Sequence, residues 1–149
     1  MTKPFSYDEF REIYSKVPRL TVEVIIKTDK GIILTLRKLD SWKGQWHIPG
    51  GTVLYKETLE RAAARIAEEE LGVKIAINKQ LGHIYYPSEE KERGFGWSIG
   101  IAFLCTIVSG TPRGSDQGEK IGAFEVLPKN TIAEAKEFLE KHLLNQSSV

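Results

Sequence analysis

The sequence predicts an α/β fold in which helices cover both faces of a mixed β-sheet, an α/β/α sandwich. Runs of β-branched residues alternate with amphipathic helical patterns along the chain, which is typical of layered α/β domains. There is no internal repeat, and no linker is long enough to separate two domains. A length of 149 residues suits one domain with a sizeable core. We therefore expect a single domain over residues 1–149.

The first half of the chain predicts a helix, a hairpin and a longer helix. Residues 6–17, "SYDEFREIYSKV", have an amphipathic pattern, and Ser6 and Glu9 have the spacing of a capping box. The runs "LTVEVIIK" and "IILTLRK" flank the turn sequence "TDKG" and predict a β-hairpin. The longest helical pattern runs from about Glu57 to Leu71, and Gly72 is placed to end it in a left-handed conformation.

The second half predicts further strands and a closing helix. The strands are expected in "VKIAI", "GHIYYP", "WSIGIAFLCTIV" and "IGAFEVL". The segment "SEEKERGFG" predicts a polar loop. "TIAEAKEFLEKHLL" predicts the last helix, with Thr131 and Glu134 again at capping-box spacing.

Composition excludes several classes of function. A formal net charge of +1 gives no global electrostatic attraction to nucleic acid or to a membrane surface. No apolar run approaches the roughly 18 residues that a membrane span needs, and the N-terminus has no apolar signal region. Cys105 is the single cysteine, lies within an apolar run and is expected in the core. We expect a cytoplasmic protein that binds neither nucleic acid nor membrane.

Three consecutive glutamates end the central helix, just before Leu71 and Gly72. Negative charge at a helix C-terminus is unfavourable by up to about 1 kcal/mol per residue, so the cluster needs compensation. Glu69 and Glu70 fall on a face that is partly turned toward the protein, and carboxylate oxygens suit Mg²⁺ or Mn²⁺. The paired glycines upstream allow close approach of the backbone, and the carbonyl of Gly50 can join the ligands. The pattern predicts a divalent metal site.

The spacing of these residues resembles the box of the Nudix hydrolase family, G-x5-E-x7-R-E-U-x-E-E-x-G-U, over residues 51–73. The matching residues are Gly51, Glu57, Arg65, Glu69, Glu70, Gly72 and Val73. Two positions depart from it. Ala67 is a small replacement for an aliphatic residue, and Ile66 stands where the family has a glutamate.

The resemblance implies a Nudix-like α/β/α sandwich and Mg²⁺-dependent hydrolysis of a nucleoside diphosphate linked to another group. It implies that Glu69 and Glu70 ligate the metal with the Gly50 carbonyl. It also implies that Arg65 and Glu57 hold each other and orient these carboxylates. Members are often dimers, so a homodimer is among the assemblies that it implies. Because Ile66 removes one acid from the cluster, we expect one essential Mg²⁺ and no general base at that position.

One branch of the family, the GDP-mannose mannosyl hydrolases, also tolerates an apolar residue at position 66. It is similar to this chain in the N-terminal helix, in the proline before the first strand and in an acid inside that strand, here Glu23. The branch displaces at sugar carbon. By position, Arg37 would contact the diphosphate, and Gln117 would complete the metal ligands. This chain departs at Gly118, where the branch has a histidine base, and at Thr52, where it has an arginine.

Several alternatives therefore stay open. Attack at phosphorus would need another base, and Glu119 or Asp116 in the same loop could supply it. The catalytic residues that we predict are Arg65, Glu69 and Glu119. Glu23 could contact substrate or face water on an edge strand, and Trp42 could lie against a base or sugar. The alternative to an enzyme is a degenerate domain that binds a nucleotide derivative without turnover.

Overall fold

The structure, a computed structural model, describes residues 3–38, 41–115 and 120–144. The helices are α1 (Tyr7–Tyr14), α2 (Leu59–Leu71), α3 (Ser88–Arg93) and α4 (Ala133–Leu139), the last continued by a π-helical turn (Glu140–Leu144). The strands are β1 (Arg19–Thr28), β2 (Gly31–Leu36), β3 (Trp46–His47), β4 (Gly50–Thr52), β5 (Lys74–Tyr85), β6 (Ser98–Ser109) and β7 (Ile121–Phe124).

Over the described ranges, the strands form one mixed seven-stranded sheet centred on β1. β1 runs parallel to β6 and antiparallel to β2 and β4. β5 pairs with β6 on one side, and β3 and β7 pair with β2 on the other. The expected hairpin is β1–β2, and the expected strands "VKIAI" and "GHIYYP" are one long strand, β5, with irregular register.

Each face of the sheet carries its own hydrophobic core. Along β1, Val22, Val24 and Ile26 point toward α2, whereas Ile25 points toward α4, because successive side chains of a strand alternate between faces. Cys105 lies in the core under α2, as expected. The mixed sheet between helical layers confirms the predicted fold class. Within the described residues, the helices lack the length and hydropathy needed to cross a membrane.

The helix predicted over residues 6–17 is shorter than expected. The capping box is present: the Ser6 hydroxyl accepts from the Glu9 amide at 3.2 Å, and Glu9 accepts from the Ser6 amide at 3.0 Å. α1 ends at Tyr14, where the Ser15 hydroxyl bonds the backbone oxygen of Arg11 and competes with the helical pattern. α2 begins two residues later than predicted, because Thr58 caps its N-terminus and accepts from the Arg61 amide.

Two predictions in the second half are wrong. The expected loop "SEEKERGFG" contains helix α3, which is anchored by a buried acid, Glu89, and not by the apolar stripe that sequence patterns detect. Thr131 and Glu134 do not form a capping box. Thr131 donates its hydroxyl to the backbone oxygen of Pro128, and Glu134 accepts two hydrogen bonds from Ser88 across the fold.

Candidate active site

The end of α2 lies directly against the paired glycines of β4. β4 pairs with β1 so that Gly50 lies opposite Glu23 and Gly51 opposite Val22. From α2, the buried Glu70 accepts a hydrogen bond through Oε1 from the Gly50 amide at 3.2 Å. The structure thus brings Glu70 to the Gly50 amide, while the predicted binding of a metal by Glu70 and the Gly50 carbonyl stays a prediction.

Arg65 ties the helix, the glycine strand and the preceding loop together. Its Nε and Nη2 donate to the two oxygens of Glu57 at 2.8 and 2.9 Å, a bidentate pair. Nη2 also donates to the backbone oxygen of Thr52 at 2.9 Å, and Nη1 donates to Glu69 Oε2 at 3.3 Å. Glu57 in turn accepts from the Leu54 amide at 3.0 Å. One guanidinium group therefore fixes the orientation of Glu69 relative to β4.

The electrostatics keep this network charged. The hydrogen bond from Arg65 lowers the pKa of Glu57, and the Leu54 amide lowers it further. The same pair raises the pKa of Arg65, with a smaller contribution from Glu69. Both partners therefore stay ionised at neutral pH. The predicted orienting role of Arg65 and Glu57 is consistent with this geometry.

The donor set fits a hard divalent cation. Glu70 is buried beside a backbone glycine, and 23% of the Glu69 side chain is exposed, so one carboxylate is sheltered and the other reaches solvent. Mg²⁺ characteristically takes one or two carboxylates and keeps several water ligands. Among the residues that the structure describes, no three acidic, histidine or cysteine side chains cluster into a metal centre. Glu69, Glu70 and the Gly50 carbonyl remain the proposed ligands.

Ile66 occupies the core side of this site. It is 2% exposed and packs among the residues under α2. It also lies close to Gly51, since a Cβ placed on that glycine would be 3.5 Å from Ile66 Cγ1. A longer acid at this position would therefore point under the glycine strand. The apolar side chain fills that space.

We predict that Ile66→Glu is destabilised in EDTA, by on the order of 2–3 kcal/mol, because it buries a carboxyl group. Excess Mg²⁺ should restore part of this loss, because the added acid can hold a second ion. Thermal unfolding with and without Mg²⁺ measures the difference. Ile66→Gln is the control: it should be destabilised without showing the same gain from Mg²⁺. Equal responses of both variants would contradict the second ion.

A buried polar cluster lies behind Gly50. Glu23 is 1% exposed, and its Oε1 accepts a short hydrogen bond from the Tyr86 hydroxyl. His47 Nε2 lies 3.7 Å from the same oxygen. Burial raises the pKa of Glu23 to about 8, opposed by Tyr86 and Arg19, and burial lowers the pKa of His47 to about 3. The alternative of an edge-strand Glu23 facing water is wrong; a contact with substrate stays a prediction.

The raised pKa of Glu23 predicts a pH-dependent stability. Between about pH 4.5 and 8 the folded protein holds a proton on Glu23 that the unfolded chain releases. The free energy of unfolding should therefore fall as pH rises through this window. The lowered pKa of His47 makes the free energy of unfolding rise with pH, but only below the usual histidine pKa of 6.5. Between pH 6.5 and 8 the pH dependence therefore reports the titration of Glu23. In that window the free energy of unfolding should fall by at most about 1.4 kcal/mol per pH unit.

Denaturant unfolding in EDTA at several pH values within that window measures this effect. Glu23→Gln keeps the size of the side chain and should flatten the dependence. Glu12→Gln, an exposed change on α1, should retain the wild-type slope. A Glu23→Gln slope equal to the wild-type slope would contradict the assignment.

Arg37 and Trp42 lie together beside Ser41, and Trp42 belongs to the core on the sheet face opposite α2. Arg37 donates to the backbone oxygen and the hydroxyl of Ser41 at 2.7 and 3.0 Å, and its guanidinium lies 5.4 Å from the Trp42 ring centroid. Trp42 is 7% exposed and donates through Nε1 to the Ser88 hydroxyl at 3.0 Å. Most of the ring therefore contacts protein, while its contact with a base or sugar stays a prediction.

Other predicted residues lie outside the described part of the chain. They are Gln117, the predicted metal ligand, and Glu119 and Asp116, the candidate bases, together with Gly118. Sequence reasoning missed His47 and Tyr86 as neighbours of Glu23. The signal available for His47 was its position three residues before Gly50 in "HIPGG".

Comparison with known proteins gives the family. A NUDIX domain model matches residues 17–145. The low-salt glycan biosynthesis protein Agl8 of Haloferax volcanii is 33% identical over 121 residues, covering 79% of this chain and 78% of that protein. An ADP-ribose pyrophosphatase of Methanocaldococcus jannaschii is 32% identical over 114 residues, covering 75% and 66%.

A solved structure agrees with this assignment. The MutT NUDIX hydrolase from Burkholderia pseudomallei matches with a TM-score of 0.72 at 28% identity, covering 85% of this chain and 98% of that one. The matched family model spans the glycine strand, the Arg65 network and the acids of α2 described above. The chain therefore belongs to the Nudix family and is a Nudix hydrolase.

Proposed function

We propose that this enzyme is a Mg²⁺-dependent hydrolase of a nucleoside diphosphate linked to a second group, with nucleotide sugars as the substrate class. The observation that carries the proposal is the buried Glu70 held on the Gly50 amide beside Glu69. This arrangement places carboxylate oxygen atoms next to the paired glycines of β4. That is the ligand chemistry that Mg²⁺ and Mn²⁺ prefer.

The names of two relatives support the sugar-nucleotide class. One relative is a glycan biosynthesis protein, and another is a pyrophosphatase of ADP-ribose, in which a diphosphate joins a nucleoside to a sugar. The chain resembles the mannosyl hydrolase branch at two further positions. These are the buried Glu23 in β1 and Arg37 after β2. These similarities favour a nucleotide sugar over a simple nucleoside triphosphate.

The site residues would have the following roles. A bound Mg²⁺ would supply charge neutralisation on the diphosphate. Glu69 and Glu70, with the Gly50 carbonyl, would hold it, and Arg65 would keep Glu69 in place through its contacts with Glu69 and the Thr52 backbone. Arg37 would contact a phosphate, since its guanidinium can bind phosphate oxygens in pairs. The base would come from Glu119 or Asp116.

Product analysis tests the proposal. The enzyme is incubated with excess Mg²⁺ and a panel of nucleotide sugars that includes GDP-mannose and ADP-ribose, and products are separated by ion-exchange chromatography. GDP and free hexose from GDP-mannose, with the oxygen of ¹⁸O-labelled water in the hexose, would indicate attack at carbon; GMP and sugar phosphate would indicate attack at phosphorus. We expect hydrolysis of at least one member, lost in EDTA. Thermal stabilisation by these compounds without any product would contradict the proposal and favour a binding domain.

A further inference from the structure

Helix α2 leaves one row of apolar side chains uncovered on its own face of the sheet. Leu20 of β1 pairs with Ile99 of β6, and Ile99 pairs with Tyr85 of β5, so the three side chains lie next to one another across adjacent strands. They point to the same face as Val22, which packs under α2, because residues two apart on a strand share a face. Leu20 and Tyr85 are nevertheless 42% and 50% exposed.

Trp97, just before β6, extends this row. Its ring stacks on that of Tyr85, with the two centroids 5.8 Å apart and the planes at 29°, and the residue is 44% exposed. The backbone oxygen of Trp97 accepts from the Arg19 amide at 2.8 Å, one residue before Leu20. We call Leu20, Tyr85, Trp97 and Ile99 the apolar patch. Within the described ranges β5 is the last strand on its side of the sheet, so the patch reaches the sheet edge.

The exposed area of the apolar patch suits a protein interface. A fully buried aromatic side chain removes about 150–250 Å² from water, so two half-exposed rings with Leu20 and Ile99 present roughly 300 Å². Apolar patches of about this size often mark interaction sites. Because a little over half of an interface is apolar, the patch suits an interface of about 500–600 Å² per partner. Two such surfaces bury about 1,000–1,200 Å² in total, which reaches the lower limit for a specific interface.

The chemistry of the apolar patch favours a second copy of this chain as the partner. Its four side chains are uncharged, so the complementary surface is apolar too, and tryptophan and tyrosine are enriched where interfaces are strongest. A twofold axis sets the patch of one copy against the same patch of the other, and such a contact closes at two copies. A small molecule fits less well, because its sites are concave and the patch lies on the broad face of three strands.

We propose that the chain forms a twofold-symmetric homodimer through the apolar patch. The backbone oxygen of Leu20 accepts from the Val53 amide at 2.9 Å, so the interface borders the segment that joins β4 to α2. The interface rests on the sheet face and not on the acids of α2, and it is therefore independent of the proposed function.

Sedimentation equilibrium over about 1–100 μM protein tests the interface, because a contact at this lower size limit should dissociate in the micromolar range. The wild type should form dimers. Leu20→Lys should raise the dimer Kd about thirtyfold or more, since it brings two like charges together within an apolar contact. Val126→Lys is the matched control. Val126 is exposed after β7, on the other side of β1 from β5, and its replacement should leave Kd unchanged.

Two changes at Trp97 separate loss of the contact from loss of the fold. Trp97→Phe keeps an apolar ring and should dimerise nearly as the wild type does, whereas Trp97→Lys should dissociate as Leu20→Lys does. Circular dichroism establishes that the variants are folded.

A wild type that stays monomeric over the whole range would overturn the interface. Wild-type Kd values in both Leu20→Lys and Trp97→Lys, or an equal loss in Val126→Lys, would overturn it as well. A monomer that hydrolyses nucleotide sugars would overturn the interface alone. A dimer that turns over no member of the nucleotide-sugar panel would instead overturn the proposed function alone.

Discussion

Replacing Glu70 by glutamine should lower kcat by on the order of 10³-fold, because a metal ion at a diphosphate contributes several kcal/mol to transition-state stabilisation. The amide keeps the size of the side chain and can still accept from the Gly50 amide, so the fold should persist. Initial rates with the best substrate of the panel, measured over a range of Mg²⁺ concentrations, give the effect. A weakened dependence on Mg²⁺ should accompany the loss.

Glu68→Gln is the matched control for this change. Glu68 is exposed on the same helix turn and carries the same charge, but it faces away from Gly50. Its activity should stay within about twofold of the wild type, as for a surface substitution. Unchanged activity in Glu70→Gln, or the same loss in both variants, would remove the metal assignment.

Arg65→Lys should lower kcat by about 10- to 100-fold, the range seen when groups that orient metal ligands are removed. A lysine ammonium is a point charge and cannot make the four contacts of the guanidinium with Glu57, Glu69 and Thr52 at once. The freed Glu69 should bind the metal less well. The apparent affinity for Mg²⁺ should therefore fall with kcat, while KM at saturating Mg²⁺ changes less.

Arg61→Lys provides the comparison, since Arg61 is exposed one turn earlier on α2. It should leave both kcat and the Mg²⁺ dependence near the wild-type values. A loss confined to thermal stability in Arg65→Lys, with Mg²⁺ affinity unaltered, would show that Arg65 supports the fold without orienting Glu69.

The sequence is informative where local chemistry decides the structure. Gly72 ends α2 in the left-handed conformation, with φ 68°, because a residue without Cβ adopts it readily. The spacing of Arg65 and Glu69 also brings them together, since side chains four residues apart share a helix face. Glu57 lies just before the Thr58 cap and meets Arg65 from that N-terminal flank. These predictions depend on distances within one element and its N-terminal flank.

Contacts between distant elements could not be predicted in the same way. Helix α3 contains no apolar stripe, and it is fixed by Glu89 meeting Arg19 and by Glu134 meeting Ser88. Glu23 alternates with valines, which is equally consistent with a solvated edge strand and a buried central one. Glu23 is buried because β1 pairs with β6 and is therefore a central strand of the sheet. That pairing joins residues that are far apart in the chain.

We propose that a divalent cation binds where α2 ends, beside the paired glycines. The most direct measurement is an anomalous difference map from crystals grown with excess Mn²⁺ and a nucleoside diphosphate. We predict one strong peak, about 2.0–2.3 Å from carboxylate oxygen of Glu70 and from at least one other ligand among Glu69 and the Gly50 carbonyl. A map with no peak there, or with its peak on other residues, would contradict the metal site.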